Sequence, residues 1–136
     1  MITDREAVEA ANTAFYAAFE QADVDAMARV WDDEQPDDLT CVHPGWPPLR
    51  GRATVLRSWS AVMATTDYIQ FFLTDVTTAV EGDTAVVTCT ENVLTAVSVD
   101  GGAGAAVATN VFRRRVGGWR LQAHHAGPLL TELDGS

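Results

Sequence analysis

The stretch AAVATNVFRRRVGGWRLQAHHAGP, residues 105–128, decides the fold of this chain. It contains two segments in which apolar residues alternate with other residues, 105–115 and 119–126, joined by Gly117-Gly118. Alternation with a period of two is typical of a β-strand, and a glycine pair between two such segments is typical of a tight turn. The sequence therefore predicts an antiparallel hairpin here.

Two more strands precede this hairpin. Segments 69–79 and 84–97 have strand character, and the connections at Gly82-Asp83 and 100–102 are turn signals. Successive hairpins predict a four-stranded antiparallel meander, one face of which packs on helices. A shorter strand is predicted at 39–42.

The first half of the chain predicts helices. Thr3 and Glu6 have the spacing of a capping box, and apolar residues then follow at helical intervals as far as Ala22. Asp23 begins a second, shorter helix, and Gly51 precedes a third. Three helices followed by a meander indicate an α+β fold, and we expect residues 1–136 to form one domain.

Composition excludes several classes of partner. The net charge is −10 with no lysine among nine cationic residues, which argues against nucleic acid and anionic membranes and excludes lysine Schiff-base chemistry. Cys41 and Cys89 lie on separate predicted strands and are expected to be free thiols in a reducing compartment. The acidic start of the chain does not resemble a signal peptide, and no apolar stretch could span a bilayer. We therefore expect a cytoplasmic protein that does not bind a membrane.

Three polar side chains interrupt apolar strand faces. Glu91 shares a face with valines and Cys89, and Asn110 shares one with alanines and Phe112. Neighbouring strand residues point to opposite faces, so only one residue of the pair His124-His125 can join them. Counting back from His125 reaches Leu121 and Trp119, which predicts that His125 is the inward one.

The set Glu91, Asn110 and His125 suggests acid–base catalysis. Burial disfavours an ionised carboxylate and raises its pKa toward the range that is useful for proton transfer. An imidazole can hold the complementary proton, and Asn110 can donate to a developing oxyanion. The alternative is a buried Glu–His pair that only fixes the core.

Other residues are candidates for the wall of a pocket. His43 ends the short strand, before the stiff loop that carries Trp46, and it either faces the pocket or only caps the strand. Tyr16 has a hydroxyl that needs a partner if it is buried. Two further aromatic residues are candidates for substrate contact, although aromatic residues at such spacings are usually core: Trp31 and Trp59.

We expect no metal and no cofactor. The adjacent histidines point to opposite faces, and neither a His-x-x-x-His pair nor a cysteine-rich spacing is present. Convergence of His43, Glu91 and His125 on an ion stays open as a geometric alternative. The chain has no glycine-rich phosphate loop and no serine elbow.

The order of these motifs resembles a known family. The strand that ends in His43-Pro44-Gly45 and the helix opened by Gly51-Arg52, with Trp59 inside it, resemble SnoaL-like members of the nuclear transport factor 2-like superfamily. The stretches 108–114 and 119–128 also resemble the association domain of calcium/calmodulin-dependent kinases. The resemblance covers nearly the whole chain.

This resemblance implies a cone: a curved sheet wraps around the long helix and leaves a deep pocket, and the outer sheet face commonly forms a dimer. Enzymes of the fold include ketosteroid isomerase, scytalone dehydratase, limonene epoxide hydrolase and polyketide cyclases, but their catalytic sets do not map onto this chain. Compared with the kinase association domain, Glu91 and Asn110 replace pocket arginines, which disfavours an anionic ligand.

Two hypotheses about function follow. The first is a cofactor-free lyase or isomerase, dehydratase- or cyclase-like, that moves protons on a small apolar, carbonyl-bearing molecule. Glu91 and His125 would be catalytic, and Asn110, Tyr16 and His43 would assist. The second is a non-catalytic dimerisation or ligand-sensing module. A homodimer would form through the mixed outer sheet face, which is predicted to carry these residues: Thr88, Thr90, Thr109, Val111, Gln122 and His124.

Overall fold

The computed structural model describes residues 1–96 and 103–130. The predicted connection at 100–102 and the predicted strand end at residue 97 lie outside this part. Residues 1–96 and 103–130 contain three helices, one short 3-10 turn and six strands, in this chain order: α1 Asp4–Glu20, α2 Val24–Val30, the 3-10 turn Pro36–Asp38, β1 Thr40–Val42, β2 Leu49–Arg50, α3 Arg52–Ala64, β3 Ile69–Glu81, β4 Thr84–Thr95, β5 Ala103–Arg115 and β6 Gly118–Pro128.

The helices begin where their capping residues are. The Glu6 amide donates to Thr3 Oγ1 at 3.1 Å, and the Thr3 amide donates to the Glu6 carboxylate at 2.9 Å, so the predicted capping box is confirmed. Asp23 caps α2 by accepting from the Ala26 amide at 3.0 Å. The α3 helix follows Gly51, whose φ of 87° favours glycine.

The six strands form one sheet in the order β2-β1-β6-β5-β4-β3. Strands β3 to β6 make the predicted antiparallel meander. The short strand β1 pairs in parallel with β6, so that Cys41 lies beside His124, and the two-residue strand β2 extends the edge. The α+β class with helices on a mainly antiparallel sheet is confirmed.

Two β-bulges bend the sheet. In β3, Thr74 pairs with Thr90 and Thr77 with Thr88, so two residues oppose one, and Asp75 has a φ of 53°. In β6, Leu121 pairs with Phe112 and Ala123 with Val111, which makes Gln122 an extra residue. Bulges increase local twist and bend a strand. Each bulge also reverses which residues point inward beyond it.

The core fills the space between α1, α3 and the inner face of the sheet. Phe15 is its centre, in edge contact with Tyr16, Trp31 and Trp59. On one side a fully buried carboxylate, Asp32, accepts two hydrogen bonds from Arg115, at 2.7 and 2.9 Å. No helix in residues 1–96 and 103–130 is long and apolar enough to cross a membrane.

Candidate functional site

A cavity of about 390 Å³ opens between α1, α3, the loop after β1 and the inner face of β3 to β6. This volume is within the range of about 300–1,000 Å³ that is typical of small-ligand sites. Most of the wall is aromatic or aliphatic, and four side chains bring polar groups to it. These four are Tyr16, His43, Glu91 and His124.

Glu91 lies on β4 and faces this cavity, as predicted from strand alternation. Its side chain is only 5% exposed, and its Oε2 accepts a hydrogen bond from the Tyr16 hydroxyl at 2.6 Å. Its Oε1 has no hydrogen-bond partner among the described residues. Burial raises the pKa of the Glu91 carboxyl above its ordinary value, and the Tyr16 bond only partly offsets this effect.

Tyr16 extends from α1 and is buried among aromatic rings. Its hydroxyl accepts from Asn110 Nδ2 at 3.2 Å while it donates to Glu91. Burial, and secondly the negative charge of Glu91, raises the pKa of the Tyr16 hydroxyl far above its ordinary value. Tyr16 therefore keeps its proton and fixes the carboxylate in place.

Asn110 lies behind the cavity wall and does not line the cavity. It is fully buried; its amide nitrogen donates to Asn12 Oδ1 at 2.8 Å and to Tyr16, and its oxygen faces His124 Nδ1 at 2.6 Å. All of its hydrogen-bonding groups are occupied within the protein. The expectation that Asn110 donates to a substrate oxyanion is thus corrected: Asn110 positions two cavity residues from behind.

The prediction that His125 faces inward is wrong. His125 is exposed on the outer face of β6, and His124 is 3% exposed and lines the cavity. The bulge at Gln122 is the physical reason, because it shifts the inward sequence from Leu121 to His124 and Ala126. The alternative in which His43, Glu91 and His125 converge on a metal ion is contradicted for the same reason, because the sheet separates His125 from the other two.

The hydrogen bond to Asn110 fixes the tautomer of His124. The oxygen of an amide can only accept, so the imidazole Nδ1 carries the hydrogen and Nε2 holds a lone pair. Nε2 has no hydrogen-bond partner among the described residues. Complete burial lowers the pKa of His124 to about 3, so the ring is neutral at physiological pH.

His43 is also held as a neutral ring. The Ser58 hydroxyl donates its one proton to the Val55 carbonyl at 2.6 Å, so it must accept from His43 Nε2, which lies 2.9 Å away. The lone pair of His43 is then on Nδ1. Burial lowers the pKa of His43, and its ring packs between Trp46 and Trp59.

The three tryptophan candidates occupy different places. Trp59 forms part of the cavity wall, and Trp46 lies at its rim with 43% of its surface exposed. Trp31 does not line the cavity; it is buried in the core against Phe15, with its indole 6.3 Å from that ring. Its expected contact with substrate is therefore corrected to a packing position.

Asn12, Ser58 and His124 are site residues that sequence analysis missed. Asn12 lies four residues after Val8 on the apolar side of α1, and Ser58 lies three residues after Val55 on the apolar side of α3. A polar residue on an apolar helix face is the same signal that identified Asn110. Applied to helices as well as strands, that signal would have found both.

Comparison with known proteins identifies the family to which this fold belongs. The model of the SnoaL-like domain matches residues 8–131. The chain belongs to the SnoaL-like family. This family membership confirms the resemblance inferred from the motifs around His43, Gly51 and the last hairpin.

Two solved structures superpose closely on this chain. A protein of the NTF2-like family from Streptomyces avermitilis, whose provisional name is dehydratase, is 52% identical, with a TM-score of 0.85 over 93% of this chain and 96% of that chain. A protein from Thiobacillus denitrificans, provisionally a calcium/calmodulin-dependent protein kinase type II association domain, is 35% identical, with a TM-score of 0.79 over 90% of this chain and 94% of that chain.

A plant relative is longer. The F-box protein SKIP8 of Arabidopsis thaliana is 29% identical over 126 residues, which are 93% of this chain and 51% of that protein. The chain spans about half the length of this curated relative.

Proposed function

We propose that this SnoaL-like protein is a cofactor-free lyase or isomerase, dehydratase-like, that transfers protons on a small apolar, carbonyl-bearing molecule. The observation that carries the proposal is the position of Glu91. It is a carboxyl group inside an aromatic cavity, with one oxygen held by Tyr16 and the other free to meet a ligand. The provisional name of the Streptomyces avermitilis relative adds support for a dehydratase.

Glu91 is proposed to act first as a base and then as an acid. Its carboxylate takes the proton on the carbon beside the substrate carbonyl, and burial favours the protonated carboxyl that results. The same proton then returns to the substrate. Delivery to another carbon completes an isomerisation; delivery to a neighbouring hydroxyl, as its C–O bond breaks and a C=C bond forms, releases water.

His124 and His43 are proposed to orient the substrate in this scheme, with His124 taking the place predicted for His125. Both rings are neutral and each keeps a lone pair without a protein partner. Such a lone pair accepts a hydrogen bond from a substrate hydroxyl without taking its proton. Tyr16, supported by Asn110 and Asn12, keeps the Glu91 carboxylate aimed.

The test is turnover on a panel of small β-hydroxy ketones and β,γ-unsaturated ketones, followed by the absorbance of the conjugated product. We expect Glu91→Gln to reduce kcat by about 100-fold or more, because proton transfer by a side chain contributes that much. Glu81→Gln, which makes the same substitution at an exposed carboxylate, is the control and should match the parent. Unchanged kcat in Glu91→Gln, or no turnover by the parent on the whole panel, would contradict the proposal.

A second candidate is a non-catalytic homodimerisation or ligand-sensing module. It is favoured by the outer sheet face, which leaves Phe72 53% and Val107 48% exposed beside the threonines Thr88 and Thr109. Apolar side chains on an exposed sheet face are typical of an interface. A two-fold pairing of these faces would bury them, with His125, rather than the predicted His124, in the contact.

We also propose the cytoplasm as the compartment of this protein. Both cysteines, Cys41 and Cys89, are free and buried, which suits a reducing environment. Fractionation of native cells, probed with an antibody against the chain, tests this; recovery from an oxidising compartment would contradict it.

A further inference from the structure

We propose that the cavity selects an uncharged, apolar ligand that carries two or more hydrogen-bond donors, such as hydroxyl groups, and discriminates against ligands whose polar groups only accept. This inference rests on the proposed function for its relevance to catalysis, since it names the substrate class of the same site. The selectivity would follow from the direction in which each polar side chain of the cavity donates its hydrogen bond.

Tyr16 and Glu91 are hydrogen-bonded to each other at the cavity wall. Tyr16 has one proton, and it is directed to Glu91 Oε2 at 2.6 Å, while its oxygen accepts from Asn110. The hydroxyl therefore has no hydrogen to offer to a ligand. Glu91 Oε1 presents only lone pairs when the carboxyl is ionised.

The two histidines each use their one N–H within the protein. The single N–H of neutral His124 points away from the cavity, to Asn110 at 2.6 Å, and that of His43 points to Ser58 at 2.9 Å. The remaining nitrogens, Nε2 of His124 and Nδ1 of His43, are acceptors. Neither ring changes this pattern at neutral pH, because burial keeps both uncharged.

The rest of the cavity wall is mostly aromatic or aliphatic. No arginine is among the described lining residues, and the amide of Asn110 is saturated behind the wall. The indole nitrogen of Trp59 is buried, and that of Trp46 belongs to the exposed rim. The side chains that line the cavity thus carry three acceptor atoms without a partner among the described residues: Glu91 Oε1, His124 Nε2 and His43 Nδ1.

A carbonyl, ether or carboxylate oxygen placed against one of these acceptor atoms meets a lone pair, loses its bonds to water and gains none in return. A hydroxyl placed there donates and regains its bond. Of the reactions proposed above, this pattern favours loss of water from a hydroxylated substrate over isomerisation of a simple ketone.

Isothermal titration calorimetry with one aromatic scaffold tests the inference. The probes are a dihydroxynaphthalene, its dimethyl ether and the matching diacetylnaphthalene, titrated at mildly alkaline pH, because burial raises the pKa of Glu91 and a higher pH favours its ionised form. We expect the diol to bind at least about tenfold more tightly than the ether or the diketone, since hydrogen bonds to a buried carboxylate are strong. Equal affinity for diol and ether, tighter binding of the diketone, or no binding of the diol would overturn the inference.

Glu91→Gln is the informative variant, because it replaces a carboxylate oxygen by an amide group of nearly equal size that can donate. We expect it to lose affinity for the diol and to gain affinity for the diketone, with Glu81→Gln, the same substitution at an exposed carboxylate, unchanged as the control. A variant that keeps the parent's preference would count against the inference.

Failure of this inference and failure of the proposed function are distinguishable. Preference for the diol without turnover of any ketone in the panel supports the ligand class and contradicts catalysis. Turnover that depends on Glu91, combined with equal binding of diol and ether, supports catalysis and contradicts the ligand class.

Discussion

Burial determines the charge of His124. The ring lies between Phe15, at 4.9 Å between centroids, and Asn110, and desolvation lowers its pKa to about 3. The unfolded chain would bind a proton at about pH 6.5, the ordinary value for histidine. The folded state therefore excludes a proton that the unfolded state accepts.

Acid sensitivity follows from this difference. The stabilising contribution of neutral His124 is fully present above pH 6.5 and is lost as the pH falls toward 3. Between pH 6.5 and 3, each proton that only the unfolded state binds lowers the free energy of unfolding by about 1.4 kcal/mol for every unit by which the pH falls. We expect His124→Gln to show a shallower decline than the parent in urea denaturation at successive pH values.

His125→Gln is the matched control, since it makes the same substitution one residue away on the exposed face and the charge of His125 is the smallest of the effects that lower the pKa of His124. His43 remains in both variants and contributes to the same window, so the decline should be reduced in His124→Gln but not abolished. Parallel curves for His124→Gln and the parent would show that His124 ionises as readily in the folded state as in the unfolded one.

At the scale of the helix, α1 ends in a strained residue. Ala22 follows Glu20 and the cap residue Gln21 with a φ of 52°, and the amides of Ala22 and Asp23 donate back to Phe19 and Ala18, each at 3.0 Å. This is a left-handed helix end of the type that usually contains glycine. The bend directs the chain into α2.

Ala22→Gly is therefore expected to stabilise the protein by about 0.5–1 kcal/mol, because glycine adopts positive φ without steric cost. Ala14→Gly is the control: it lies on the exposed side inside α1, where glycine should destabilise by about 1 kcal/mol. Chemical denaturation of both variants measures the difference. Destabilisation by Ala22→Gly would refute a strained helix end.

Among the elements, those with strong periodicity were predicted from the sequence and the bulges were not. The capping box of α1 and the four long strands of the meander were apparent from spacing alone. The bulge at Gln122 was not apparent, because Leu121, Ala123 and Ala126 are all apolar enough for either face of β6. Strand alternation placed Glu91 correctly, since no bulge separates it from Ala85 on β4.

At the scale of the molecule, the pairing of β1 with β6 could not be predicted from the sequence. A three-residue strand has too little pattern to indicate its neighbour, and parallel pairing needs no turn signal. The same holds for the network behind the cavity. Asn12 and Asn110 are 98 positions apart, and only the folded sheet shows that they meet.

The outer face of the sheet allows a test of assembly. Val107 lies near its centre on β5, and Val107→Arg would place a charge in the proposed two-fold contact. We expect the variant to sediment as a monomer at concentrations where the parent is a dimer, by analytical ultracentrifugation. Val116→Arg, at the fully exposed tip of the β5–β6 hairpin, is the control and should behave as the parent. A parent that is monomeric throughout would contradict the dimer.

The parallel contact of β1 with β6 has a consequence for biosynthesis. On the ribosome, the segment that becomes β1 emerges about eighty residues before the strand that flanks it. Until that strand arrives, Cys41 has no strand beside it on the side that faces β6, although α1 can already pack on β3 and β4. Closure of the fold is thus a late event, and a chain stalled before the final hairpin would have neither His124 nor a ligand chamber.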